Sequence, residues 1–150
     1  MHHTERLKRA RKIAGGSTGT KRRYKKMLKP LLASCDAEAC LLWWERYDGS
    51  EKEAKRIADI TKFPAAISNL AEIYYQQNRL TEAFILYRQA AEQEDVHALY
   101  VLASAHRYGI DECTKDVDLA MWYENRADKA PRWDVWHGYN STYIMNDFIQ

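Results

Sequence analysis

The sequence predicts an all-α fold. Three observations carry this: beyond residue 30 apolar side chains recur at intervals of three and four, no segment alternates apolar and polar residues with period two, and the pattern of residues 64–95 returns in looser form over 96–130. At 150 residues, with 46% hydrophobic and 12% aromatic side chains, the chain has the size of one ordinary domain with one core. Its apolar runs are too short to span a bilayer, and the opening "MHHTERLKRARK" is polar and basic, unlike a secretory leader. Three cysteines, an odd number, fit a reducing compartment, so the expected location is the cytoplasm, with no membrane partner.

The elements follow in order. Residues 1–30 read as a basic, partly flexible arm: residues 1–29 hold eleven Lys or Arg against the single acid Glu5, a charge of +10, while residues 30–150 carry −8. Within the arm, "ERLKRARKIA" and "KRRYKKMLKP" flank a "GGSTGT" hinge, whose glycines lack the Gly-Lys-[Ser/Thr] ending of a phosphate-binding loop. Residues 31–63 read as a degenerate helix pair. Ala39, Cys40, Trp43, Trp44 and Tyr47 form the apolar stripe of its first helix, which Asp48-Gly49 stops. Ser50 and Glu53 have the spacing of a capping box opening the second, which carries Ala54, Ile57 and Ala58 and ends before Pro64. Four further helices are expected at roughly 65–78, 81–94, 96–108 and 116–129.

Within residues 64–95, Leu70, Ala71, Tyr74, Ala83, Tyr87 and Ala90 stand at relative positions 0, 1, 4, 13, 17 and 20. This spacing resembles the tetratricopeptide repeat, with Ile67 in place of the usual Trp and Asp95 in place of the closing Pro. A shift of 32 residues lays Ala66, Leu70 and Ala71 on Ala98, Leu102 and Ala103, whereas Tyr87 and Ala91 meet Tyr123 and Ala127 only after 36. Four residues have entered the loop between helices. With Leu102, Ala103, Gly109, Trp122 and Tyr123 in matching places, residues 96–130 resemble the related Sel-one-like repeat. His106 stands for its Tyr, Asp111 for the second loop Gly and Leu119 for an Ala, and Asp116 comes one place late.

The resemblance implies a short right-handed α/α solenoid of about 2.5 to 3 helix-turn-helix repeats. Small residues at Ala71, Ala83, Ala90 and Ala103 let helices approach, and Tyr74, Tyr87, Trp122 and Tyr123 would fill the wedges between them. Each pair buries its apolar face only by stacking on the next, so the ends need covers. Residues 131–150 hold Trp133, Trp136, Tyr139, Tyr143 and Phe148, and read as an aromatic C-terminal cap. The alternative use of that segment is to join protomers.

Catalytic and cofactor chemistry find little support. His97 and His106 are nine apart with no carboxylate or cysteine at ligand spacing, and Cys35 and Cys40, five apart, fit neither a zinc pair nor one helix face. His3 in "MHH" is an isolated copper or nickel motif. The acid pairs Asp116 with Asp118 and Glu92 with Glu94 read as solvated surface. There is no Gly-x-Ser-x-Gly. The expectation is a non-enzymatic protein without metal or cofactor.

Two functions remain. The resemblance implies a protein-interaction adaptor, and by analogy its groove would be lined by Asn69, Glu72, Ile73 and Gln76 from one helix and Tyr100, Val101, Ser104 and Arg107 from another. The alternative is a nucleic-acid or anionic-surface binder working through Lys21, Arg22, Arg23, Lys25 and Lys26, with Tyr24 stacking on a base.

Overall fold

The computed structural model describes residues 5–9 and 21–130, and among them there is no strand. The "GGSTGT" hinge, the "MHH" motif and the C-terminal cap expected at 131–150 lie outside the described residues. Two compact units divide the chain, Met1–Thr61 and Lys62–Gln150.

In the first unit, α1 spans Lys21–Ala33, α2 spans Ala37–Trp43, a π-turn covers Trp44–Asp48 and α3 spans Glu51–Thr61. Residues 21–30 of the segment that reads as an arm are therefore part of a folded helix. Tyr24, Met27, Leu28 and Leu31 stand at i, i+3, i+4 and i+7, and Tyr24 and Leu28 are fully buried. Pro30 does not end α1, which runs on to Ala33. Pro30 is exposed, so the Lys26 carbonyl, which loses its donor, sits on the solvent side. Tyr24 packs on Trp43, with ring centroids 6.1 Å apart, and edge-on to Tyr47 at 5.3 Å. Ala39, Cys40, Leu41, Leu42, Trp44, Ala54, Ile57 and Ala58 complete this core.

The helix of the aromatic stripe departs from α spacing at Trp44, and its π-turn ends on Gly49 with φ 67°. Trp44 Nε1 donates to the Ser50 carbonyl at 2.7 Å, fixing the turn to the start of α3. The Ser50/Glu53 capping box is half formed. Ser50 Oγ accepts from the Glu53 amide at 3.3 Å, but the Glu53 carboxylate pairs with Arg56, and the Ser50 amide donates to Asp48 Oδ1 at 2.9 Å.

In the second unit, α4 (Pro64–Gln76), α5 (Leu80–Glu92), α6 (Val96–Tyr108) and α7 (Val117–Lys129) are each 13 residues long. Pro64 opens α4 at a position that needs no amide donor. The helices form two hairpins, α4 with α5 and α6 with α7, and α6 also packs on α5. Ala71, Ala83, Ala90 and Ala103 are all fully buried at the helix crossings, with Tyr74 and Tyr87 beside them. Trp122 departs from the expected role as a wedge filler: it is 50% exposed.

The connections share one device. Cys35, Asn78 and Glu94 adopt φ of 55°, 60° and 61°, and the next residue's amide reaches back five positions, Asp36 to Leu31, Arg79 to Tyr74 and Asp95 to Ala90, at 2.9–3.1 Å. Gly109, φ 62°, closes α6 in the same way, with the Ile110 amide on the Ala105 carbonyl at 3.1 Å. Asp36 and Asp95 then cap the next helix, accepting from the Ala39 and Ala98 amides at 3.0 and 2.9 Å. Asp95 serves two helix ends at once and is fully buried.

Candidate interaction surfaces

In the first unit the candidate surface is the outer side of α1. Its 13 residues carry Lys21, Arg22, Arg23, Lys25, Lys26 and Lys29 and no acid, and all six cations are exposed. Lys21 Nζ lies 5.6 Å from the Tyr47 ring centre and Lys25 Nζ 5.7 Å from that of Trp43, so the aromatic cluster holds both ammonium groups by cation–π attraction. Tyr24 is not available to stack on a base: it is 1% exposed, and its ring is spent on Trp43 and Tyr47.

In the second unit, the residues expected to line a groove do not share one environment. Asn69 is buried and does not reach the surface. Tyr100 and Arg107 turn toward α7, where the Tyr100 hydroxyl donates to Asp128 Oδ1 at 2.7 Å and Arg107 Nη2 pairs with Glu124 Oε1 at 2.6 Å. Glu72 accepts from the Tyr87 hydroxyl at 2.6 Å and from Gln76 Nε2 at 3.2 Å. Gln76 is exposed, and Ile73, Val101 and Ser104 are half-buried.

Glu72 belongs to a polar cluster joining three helices. His97 Nε2 from α6 lies 3.5 Å from Glu72 Oε2 of α4, and the His97 ring sits edge-on to Tyr87 of α5. The hydrogen-bonding His97 imidazole, followed by the Tyr87 hydroxyl, holds the Glu72 carboxyl below its usual range against the opposing effect of burial. Burial, and next the Glu72 charge, push the Tyr87 phenol upward. Asp95 is raised by burial, which outweighs the Ala98 amide, the His97 charge and the nearby Ser68 hydroxyl. The Ser68 hydroxyl makes no hydrogen bond of standard geometry. The cluster pins three helices together around a carboxylate held in its charged form beside a phenol and an imidazole.

Sequence reasoning missed the apolar surface of the α6–α7 hairpin. Tyr108, Ile110, Val117, Met121 and Trp122 are each 44–55% exposed, and they are five of the seven large apolar side chains exposed among the described residues. Val117 and Met121 are one helical turn apart on α7. Trp122 is held in place, with the Arg126 guanidinium 4.5 Å from its ring centre and the Tyr123 ring at 5.0 Å. The loop beneath the patch is also fixed. His106 Nδ1 donates to the Thr114 carbonyl at 2.9 Å, the Asp116 amide to the His106 carbonyl at 2.7 Å, and the Tyr75 hydroxyl to Asp111 Oδ2 at 2.8 Å. The signal was present in the sequence as Val117, Met121 and Trp122 around Ala120, which periodicity alone assigns to a core face.

No disulfide joins the three cysteines; Cys35 is exposed, and Cys40 and Cys113 are buried. Burial, then the neighbouring Cys35, pushes the Cys40 thiol up to about 11, which keeps it protonated and inert at neutral pH. Among the described residues no group of three or more His, Cys, Asp or Glu is placed to hold a metal ion, and no helix is long and apolar enough to cross a membrane. No family model matches this chain, and neither a curated protein nor a solved structure matches it.

Proposed function

We infer that the chain is a non-enzymatic adaptor whose second unit takes a protein partner, as a subunit of a larger assembly. The observation that carries this reading is the concentration of exposed Tyr108, Ile110, Val117, Met121 and Trp122 on one hairpin. Side chains of this size left half-open on one hairpin are the composition of an interface centre, with Trp122 the rigid anchor and Arg107, Glu124 and Arg126 the polar surround. The tetratricopeptide and Sel-one-like spacing supports a right-handed solenoid of about 2.5 to 3 repeats as the frame. In that frame Gln76, Val101 and Ser104 line the groove beside the apolar hairpin. The exposed apolar surface takes the place of the buried Asn69 in the expected binding set.

The test is affinity purification of the wild-type chain and of a Met121→Glu, Trp122→Glu variant, each with and without nuclease. Both positions are half-exposed, so the variant keeps its fold by circular dichroism. The expected result is a nuclease-resistant protein partner bound to the wild type and absent from the variant. Equal recovery with both chains, or loss of the partner on nuclease treatment, refutes the reading.

A further inference from the structure

We propose that the outer face of α1 binds the phosphate backbone of double-stranded nucleic acid, reading charge and not sequence. The face is made by Arg22, Lys26 and Lys29, at i, i+4 and i+7, with Lys25 beside them. They occupy about 10 Å of helix axis at ~1.5 Å per residue. That is the axial length of about three base pairs at ~3.4 Å each, so with the helix laid along the duplex the row spans successive phosphates of one strand.

Three features select this partner. First, α1 carries no acid, so its charge is uncompensated within the helix; outside it the Asp48 carboxyl is lowered mainly by its hydrogen bonds to Ser50 and only slightly by the charge of Lys21. Lys21 is for that reason left out of the face. Second, the apolar residues of α1 turn inward. Tyr24 and Leu28 are buried and Met27, Leu31 and Leu32 half-buried, so the exposed side has nothing to insert into hydrocarbon, which a membrane-surface helix requires. Third, the Tyr24 ring, buried against Trp43 and Tyr47, is not available as a platform for an unstacked base, so the row of cations carries no stacking residue of its own. The sequence alone suggested base stacking by Tyr24; the fold replaces that with a rigid row of cations. Burial of Tyr24 and Leu28 sets the helix in place before binding, so little ordering cost remains.

The test is anisotropy of a labelled duplex DNA of mixed sequence, titrated with the full chain from 50 to 200 mM salt. Four phosphate contacts give a slope of log K against log salt of at least about −3.6, a loss of about 150-fold over that range. Replacing Arg22, Lys26 and Lys29 by Gln removes three contacts and makes the slope shallower by about 2.7, with unchanged circular dichroism because all three are exposed. Lys52→Gln, an exposed lysine on α3, leaves the slope unaltered. A single strand of the same length binds no tighter than the duplex. The proposal is overturned by no duplex binding at 50 mM salt, by an unchanged slope in the triple variant, by tighter binding of the single strand, or by preferential binding to phosphatidylserine-containing vesicles at equal charge. None of these outcomes bears on the α6–α7 surface, which lies in the other unit.

Discussion

Gly109 and Gly49 both have left-handed backbone, φ 62° and 67°, but their surroundings differ. A Cβ at Gly49 meets nothing within 4 Å. At Gly109 it lands 2.9 Å from Lys115 Cβ, 3.2 Å from the Lys115 amide nitrogen and 3.3 Å from its Cα. The strain of left-handed backbone in alanine is about 1–2 kcal/mol, part of which is returned by a less flexible unfolded chain. Gly49→Ala should therefore cost about 1 kcal/mol or less. At Gly109 the neighbour is backbone and Cβ, which cannot swing aside, and the loop that would have to move is held by the Asp116 amide on His106 and the Cys113 amide on Ile110, at 2.7 and 2.9 Å. Overpacking of this kind adds about 1–3 kcal/mol, so Gly109→Ala should lose about 2–4 kcal/mol in all. Urea denaturation reads the difference. At an m value near ~1.5 kcal/mol/M the second unit's midpoint falls by more than about 1 M, while the first unit's midpoint in Gly49→Ala moves by roughly 0.7 M or less. Equal costs at the two glycines, within ~0.5 kcal/mol, would refute the steric account of the loop.

The remaining predictions concern Asp95, Glu72 and Tyr24. Asp95→Asn keeps an acceptor for the Ala98 amide and removes a buried charge; since burial raises the folded pKa of Asp95, charge there costs stability at neutral pH, and the variant should melt higher at pH 7, with the gain shrinking as pH falls. Asp95→Ala loses the cap as well and should melt lower, by about 1 kcal/mol of stability. Glu72 has the opposite sign: its folded pKa is depressed, so its contribution is present above the unfolded carboxylate range and is lost as pH falls through the lower folded value. Glu72→Gln should flatten the acid limb of stability below about pH 4 in urea midpoints, and an unchanged limb would assign acid sensitivity to other groups. Tyr24→Ala, which empties a fully buried site, should cost about 3–5 kcal/mol, whereas Lys26→Ala on the exposed side should stay within ~0.5 kcal/mol by thermal melting.

The helices of the second unit were readable because their apolar residues keep a helical period and their connections are short; α6 matches the expected span and α4, α5 and α7 differ by one or two residues at their ends. The connections themselves were not readable. Gln-Asn-Arg and Gln-Glu-Asp carry no glycine, yet Asn78 and Glu94 take the left-handed conformation that the turn requires, at a strain the surrounding packing overrides. In the first unit the density of lysine and arginine hid Tyr24, Met27, Leu28 and Leu31, a complete helical face whose period was present all along. The groove list erred for a different reason. Analogy says which helix faces a groove, but the direction of Tyr100 and Arg107 is decided by Asp128 and Glu124, about one helix further along the chain, and sequence spacing does not encode that pairing.

The π-turn at Trp44–Asp48 bears on how this chain compares with others of its kind. A turn of this type accommodates one residue more than α spacing does. A template laid on Ala39 and Cys40 with α periodicity therefore reaches the stop at Gly49 out of phase, and the gap that restores it has to open inside the helix, where alignments place gaps least readily. The turn takes up that residue locally, with Trp44 buried and Trp43 and Tyr47 on Tyr24. Removing one residue from Trp44–Asp48 should therefore keep the same helix ends with an ordinary α-helix between them, so this segment tolerates a change of length as a loop does.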